Sequence, residues 1–224
     1  MKSQLFGSNL EAQVAGERFA LQNERMLKVT LGPEVMARQG SMIAYQGGVD
    51  FEFQGSGGVG RFLKKALTGE GLPLMRCHGQ GELFLARDAR EIHLLTLEGD
   101  SITVNGDNLL AFDSTIEWDI RRVEGVSMLA GGLFNTVLTG TGSVAISAFG
   151  TPVVLQTDAP TYADIQSAIA WSSNLQTAVH RTMKLGALVG RGSGEAAQLA
   201  FSGQGFVVVQ ASEGPVVPAH NHGG

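Results

Sequence analysis

A Gly-x-Gly that recurs three times, each time just before an apolar run, constrains this chain more than any other feature. Gly79-Gln80-Gly81 precedes Leu83-Phe84-Leu85, and Gly140-Thr141-Gly142 precedes Val144-Ala145-Ile146. Gly203-Gln204-Gly205 precedes Phe206-Val207-Val208-Val209. Recurrence at near-constant spacing is the mark of a repeated supersecondary unit. A short apolar run entered from glycines reads as a buried strand, the glycines marking a turn or a close backbone approach.

A second element lies ahead of each Gly-x-Gly. Ile43-Ala44-Tyr45 is followed by Val49 and Phe51, and Leu110-Ala111-Phe112 by Ile116 and Trp118. Ile165, Ile169 and Trp171 repeat the same spacing. Even separations place these side chains on one face of a strand. Trp118 and Trp171 then occupy corresponding positions, with the core as their expected place. Glycine-rich connectors, Gly55–Gly71, Gly125–Leu138 and Gly186–Gly194, separate the two elements. The expected fold class is all-β and mainly antiparallel, with little helix and three diverged units. The units are residues 1–75, 76–138 and 139–215, packed as one compact body, with 216–224 a disordered tail.

The rest of the chain fits that frame. Glu91–Leu97 and Ser101–Val104 flank Glu98-Gly99-Asp100, which reads as a hairpin turn. Ala159–Met183 is rich in Ala, Gln and Leu, yet the repeat favours strand there over helix. Arg61–Leu67 is the best short helix.

Composition excludes several function classes. Charged residues make up 17% of the chain, against about 25% in ordinary globular proteins, so the surface is poor in charge. The net charge of −5 disfavours nucleic acid, whose backbone calls for a basic face. Cys77 is the single cysteine, so no intrachain disulfide forms. Met1–Gln13 holds no apolar stretch of signal-peptide length. Gly125–Thr157 carries no charge but is broken by glycines and Pro152, which suits a buried β segment rather than a membrane helix. The expected location is cytoplasmic, with peripheral membrane association open.

The run from Gly60-Arg61-Phe62-Leu63 through Leu67-Thr68-Gly69-Glu70-Gly71 to Gly79-Gln80-Gly81-Glu82-Leu83-Phe84-Leu85-Ala86 resembles the altered inheritance of mitochondria family. So do Leu138-Thr139-Gly140-Thr141-Gly142 with Val144, and Phe201-Ser202-Gly203-Gln204-Gly205-Phe206-Val207-Val208-Val209-Gln210. The likeness runs roughly from Val29 to Ser212. It implies a pseudo-threefold, double-stranded β-helix type of fold similar to the trp RNA-binding attenuation protein. It carries over no catalytic or ligand-binding residues, and mitochondrial members are tied to inner-membrane organisation. This chain departs from the family pattern at Ala163-Asp164, where Val-Asp is common, and at Gln204, where proline is.

Motifs that could carry chemistry have plainer readings. Gly55-Ser56-Gly57-Gly58-Val59-Gly60 fits Gly-x-Gly-x-x-Gly. A dinucleotide site also needs a crossover helix and a parallel sheet, and no βα alternation follows. Cys77 and His78 are neighbours on a strand and point to opposite faces. His220-Asn221-His222 has metal-ligand spacing but ends the chain. No catalytic, cofactor-binding or metal-binding residues are therefore expected, and no cofactor.

What remains is a candidate interaction surface. Arg61, Phe62, Lys64 and Lys65 form a small basic patch backed by apolar residues, suited to a partner protein or an anionic membrane surface. Leu133 and Phe134 lie in the uncharged segment among glycines. The reading is a non-enzymatic, self-associating interaction or scaffold protein, a homo-oligomer with a trimer or higher ring preferred. The alternative is a small-ligand or RNA-binding β module, by fold analogy.

Overall fold

The structure, a computed structural model, describes residues 17–53, 73–122, 134–180 and 198–212. Strands account for 71% of it and no described residue is helical, so the expectation of an antiparallel all-β fold holds. The short helix expected at Arg61–Leu67, the Gly-x-Gly-x-x-Gly and the C-terminal histidines lie outside the described residues.

The described residues form fifteen strands. They are β1 (Phe19–Asn23), β2 (Met26–Leu31), β3 (Val35–Arg38), β4 (Met42–Phe53), β5 (Leu74–Leu85), β6 (Glu91–Asn105), β7 (Leu109–Asp113) and β8 (Glu117–Arg122). Then come β9 (Phe134–Ala148), β10 (Val153–Gln156), β11 (Thr161–Asp164), β12 (Ala168–Ser172), β13 (Gln176–His180), β14 (Gln198–Ser202) and β15 (Phe206–Val209). Twelve form one sheet, ordered β1-β2-β5-β3-β7-β9-β6-β12-β15-β10, with β4 on β5 and β8 on β9. The other three form a small sheet, β11-β14-β13. Ala159–Met183, where helix and strand competed, is strand as far as it is described: β11, β12 and β13 all fall in it.

One local register recurs three times. Tyr45 lies opposite Leu83, Phe112 opposite Val144 and Trp171 opposite Val207. Each partner sits two residues after the second glycine of its Gly-x-Gly. Just before each aromatic residue the ladder slips, between Met42 and Ala44, Leu109 and Ala111, and Ala168 and Ala170. The skipped residue is aliphatic each time: Ile43, Leu110 and Ile169. A turn precedes it in each copy, closed by the Ser41, Asn108 and Ser167 amides donating to the Arg38, Asn105 and Asp164 carbonyls. The third copy is thus Ile169-Ala170-Trp171, not the Ile165-centred triplet that spacing alone suggested.

That shift corrects the tryptophans as well. Trp171 matches Phe112 and Tyr45, and it is buried. Trp118 lies opposite Leu138, the place held by Phe51 opposite Cys77, and is 38% exposed rather than core. Tyr45 still meets Phe51 edge-on at 5.5 Å, and Phe112 meets Trp118 at 6.4 Å. The six-residue spacing therefore does select one face, although in the second copy a turn divides β7 from β8.

The glycine pairs work by close approach. Gly47 lies opposite Gly81 and Val49 opposite Gly79 in the antiparallel ladder of β4 and β5. A Cβ on Gly79 would collide with the Gly48 carbonyl, and one on Gly81 with the Gln46 carbonyl. Both also hold φ values, 109° and 151°, that L-side chains rarely adopt. In the second copy the space over Gly142 is taken by Asp113, whose Oδ2 accepts the Ser143 amide at 2.7 Å. In the third, Ser172 lies over Gly205 and its Oγ accepts the Phe206 amide at 3.0 Å.

Glu98-Gly99-Asp100 is not a hairpin turn. β6 runs straight through it, and β9 pairs with both halves, from Glu91 opposite Ala148 to Asn105 opposite Asn135. The ladder only slips between Glu98 and Asp100, with Gly99 at φ 84°, which is a β-bulge. The turn residues are the same in both readings; the presence of a 15-residue partner strand decides between them.

Three apolar clusters form the core. The first joins Leu27, Val29, Leu83 and Leu85 to Leu110, Ala111 and Ala145. The second joins Met36 and Leu74 to Phe112, Val144, Ile169 and Val208. The third holds Ala163, Trp171, Leu199, Phe201 and Val207.

Two glycine substitutions separate these roles. Gly79→Ala combines backbone strain with a collision against β4 and should cost more than about 3 kcal/mol. Gly99→Ala has the strain but open space around it, and should cost about 1–2 kcal/mol. Urea unfolding midpoints of the two variants measure the difference.

Candidate interaction surface

The unusual surface of this protein lies on strand edges. β4 pairs with β5 along one edge, and no described strand pairs with the other. Its first half exposes Met42, Ile43 and Tyr45, with Ile43 at 56% and Tyr45 at 47%. Among the described strands β10 pairs only with β15, and Val153 and Val154 are each 59% exposed, with Leu155 beside them. Among them too, β11 pairs only with β14 and exposes Tyr162. An uncovered edge carries unpaired amides and carbonyls and is a template for another strand.

Burial of the same motif differs sharply between copies. Leu110 and Phe112 are fully buried, and so are Ile169 and, nearly, Trp171. Ile43 and Tyr45 have the same residue types and the same register, yet stay in solvent. The cause is the neighbouring strand. β7 is covered by β3, with Phe112 opposite Met36, and β12 by β6, with Trp171 opposite Thr103. No described strand covers the first half of β4 in this way.

A charged knot fixes the turn that leads into β4. Arg38, at the end of β3, donates to the Gly106 carbonyl and lies 3.7 Å from Asp107. Arg87 reaches the Asp107 carboxylate at 2.7 Å and Arg90 at 2.9 Å. Arg90 is buried and stacks over Phe149 at 4.2 Å. Asp88 and Ala89, between these arginines, hold positive φ values of 49° and 53°. Burial pushes the Asp107 carboxyl up, but the charges and hydrogen bonds of Arg87 and Arg90 outweigh it and hold the group below its ordinary range. Burial, and then the charge of Arg87, lowers Arg38 to about 10, against the opposing pull of Asp107.

The single cysteine is held inside the fold. Cys77 is buried and its thiol is pushed up to about 12, so it is a poor nucleophile. His78 lies 3.6 Å from Glu52 on the neighbouring strand. Among the described residues no three His, Cys, Asp or Glu side chains are placed to share a metal ion. No described helix is long and apolar enough to cross a membrane.

Of the residues singled out by sequence, Arg61, Phe62, Lys64, Lys65 and Leu133 lie outside the described residues. Phe134 opens β9, opposite Arg122. The exposed set of Ile43, Tyr45, Val153, Val154 and Tyr162 was missed. Its only sequence signal is that one copy of the Ile-Ala-aromatic motif is followed by Gln46-Gly47-Gly48, which prolongs the strand where the other copies turn.

Fold and surface together define an antiparallel all-β protein built on a recurring strand register, with apolar groups left on open edges. The family described as Mitochondrial biogenesis AIM24 matches residues 19–212, and the chain belongs to that family. An uncharacterised protein of Streptococcus pyogenes serotype M6 is 25% identical, over 92% of this chain and 91% of that protein. The fold is similar to the X-ray crystal structure of another Streptococcus pyogenes protein. That match has a TM-score of 0.69 and 23% identity, and covers 89% of this chain and 91% of that one.

The knot makes a pH prediction. The depressed Asp107 contributes stability that is complete above the unfolded carboxylate value of about 3.9, and that is lost as pH falls through its folded value. Asp107→Ala should cost about 1–3 kcal/mol near neutrality, the figure discounted because Asp107 is half-exposed. The gap between variant and wild type in urea midpoint should close as pH is lowered through that window.

Proposed function

We propose that this chain works by association rather than catalysis, as a self-associating interaction or scaffold protein. The observation that carries the reading is the set of aliphatic and aromatic side chains standing in solvent along uncovered strand edges, Ile43 and Tyr45 on β4 and Val153 and Val154 on β10. Contiguous exposed apolar surface marks an interaction site, and an open edge adds directional hydrogen bonding to it. The low charge content lowers the repulsion between copies. Nucleic acid does not suit the net charge of −5.

Light scattering tests the reading. The expected mass is a multiple of 23.6 kDa at tens of micromolar, and a mass of 23.6 kDa throughout overturns it. Ile43→Lys should shift the protein toward the monomer with an unchanged circular dichroism spectrum, because Ile43 is exposed within the single chain.

A further inference from the structure

We infer that the open edge of β11 in one chain pairs antiparallel with the first half of β4 in a second copy of this chain, Tyr162 opposite Tyr45. The inference rests on the self-association reading and gives it a register.

The strand pairing inside the chain supplies the argument. β3 lies beside β7 in the order Val35–Asp113, Met36–Phe112, Ala37–Ala111. The second half of β6 lies beside β12 in the order Ile102–Ser172, Thr103–Trp171, Val104–Ala170. The two contacts are the same contact. Met36 lies opposite Arg76 and Thr103 opposite Val137, each three residues before the first glycine of the pair. In the third copy that place belongs to Tyr162, opposite Ala200. In the first copy the place of Phe112 and Trp171 belongs to Tyr45. Each copy therefore offers one edge to the next copy, and among the described residues two edges are left over: β11 in the third copy and Met42–Gln46 in the first.

Both leftover edges look like halves of a contact not yet made. Tyr162 is 51% exposed where Met36 and Thr103 are buried, and Tyr45 is exposed where Phe112 and Trp171 are buried. Carrying the register across gives Thr161 opposite Gln46, Tyr162 opposite Tyr45 and Ala163 opposite Ala44. The edges differ from each other, so the contact is head-to-tail and every chain can use both.

Cysteine pairing tests the register. Gln46→Cys and Thr161→Cys chains are prepared separately, mixed and oxidised, with Cys77 left in place because it is buried. The expected result is a covalent dimer in the mixture and none with either variant alone. An oligomer by light scattering without that disulfide overturns the register and leaves the self-association reading standing. A disulfide formed only within the double variant chain overturns the inference, since the edges then meet inside one molecule. A dimer from either single variant alone overturns it too. A monomer by light scattering overturns both. Tyr45→Lys and Tyr162→Glu give a second test, each at an exposed site: either alone should dissociate the oligomer, and the two mixed should restore mixed dimers through the new charge pair. Failure of the mixture to re-associate, with both variants folded, overturns the register.

Discussion

The close approach of two backbones at Gly79 and Gly81 is the contact on which the first copy depends. β5 carries β3 and then β2 on one edge and β4 along the other, and its ladder with β4 runs unbroken through these glycines. Side-chain-free residues allow it, since the carbonyls of Gln46 and Gly48 occupy the space a Cβ would need. The second and third copies use the same vacancy differently. Asp113 and Ser172 lie over the second glycine and accept from the amide that follows, and β7 and β12 end at these residues instead of running on. One glycine pattern thus faces a continuous partner strand in the first copy and the end of a partner strand in the others.

The core follows from this. Because each long strand changes partners partway, its apolar residues divide between neighbouring clusters. Leu110, Ala111 and Ala145 pack with the first copy's Leu83 and Leu85, while Met36 and Leu74 pack with the second copy's Phe112 and the third's Ile169. No cluster except the last is confined to one copy. Covering a neighbour's edge and filling its core are the same act, and β11 and the first half of β4 show edges that no described strand covers.

Most of the fold was legible because it rests on local chemistry. The apolar runs after the Gly-x-Gly pairs are strands, and Val144, Ala145 and Ile146 are buried as their pattern required. Reading failed where a distant partner decides. Glu98-Gly99-Asp100 is chemically a turn and structurally a bulge, because β9 is long enough to hold both flanks. Ile165 fitted the spacing, yet the slipped residue before the aromatic, Ile169, fixes the register. The surface was the least legible part. Ile43 and Tyr45 match buried counterparts residue for residue, and only the absence of a covering strand in the described chain sets them apart. A pattern that encodes which face of a strand is apolar does not encode what lies beside its edge.

The size of the inferred contact bears on the form the assembly takes. Burying an Ile or an aromatic side chain is worth about 1.5–3 kcal/mol, and net backbone hydrogen bonds add about 1 kcal/mol each. Association costs roughly 4–15 kcal/mol in lost translational and rotational freedom. A three- or four-residue edge would by itself give a weak pair. A chain with two complementary edges escapes that limit if the rotation from copy to copy closes, because the last contact of a ring forms within an existing assembly and carries no second loss of translational freedom. The head-to-tail register therefore goes with a closed ring more naturally than with an isolated dimer. The apolar groups of β10 would then strengthen the assembly only where the ring brings them against a neighbour.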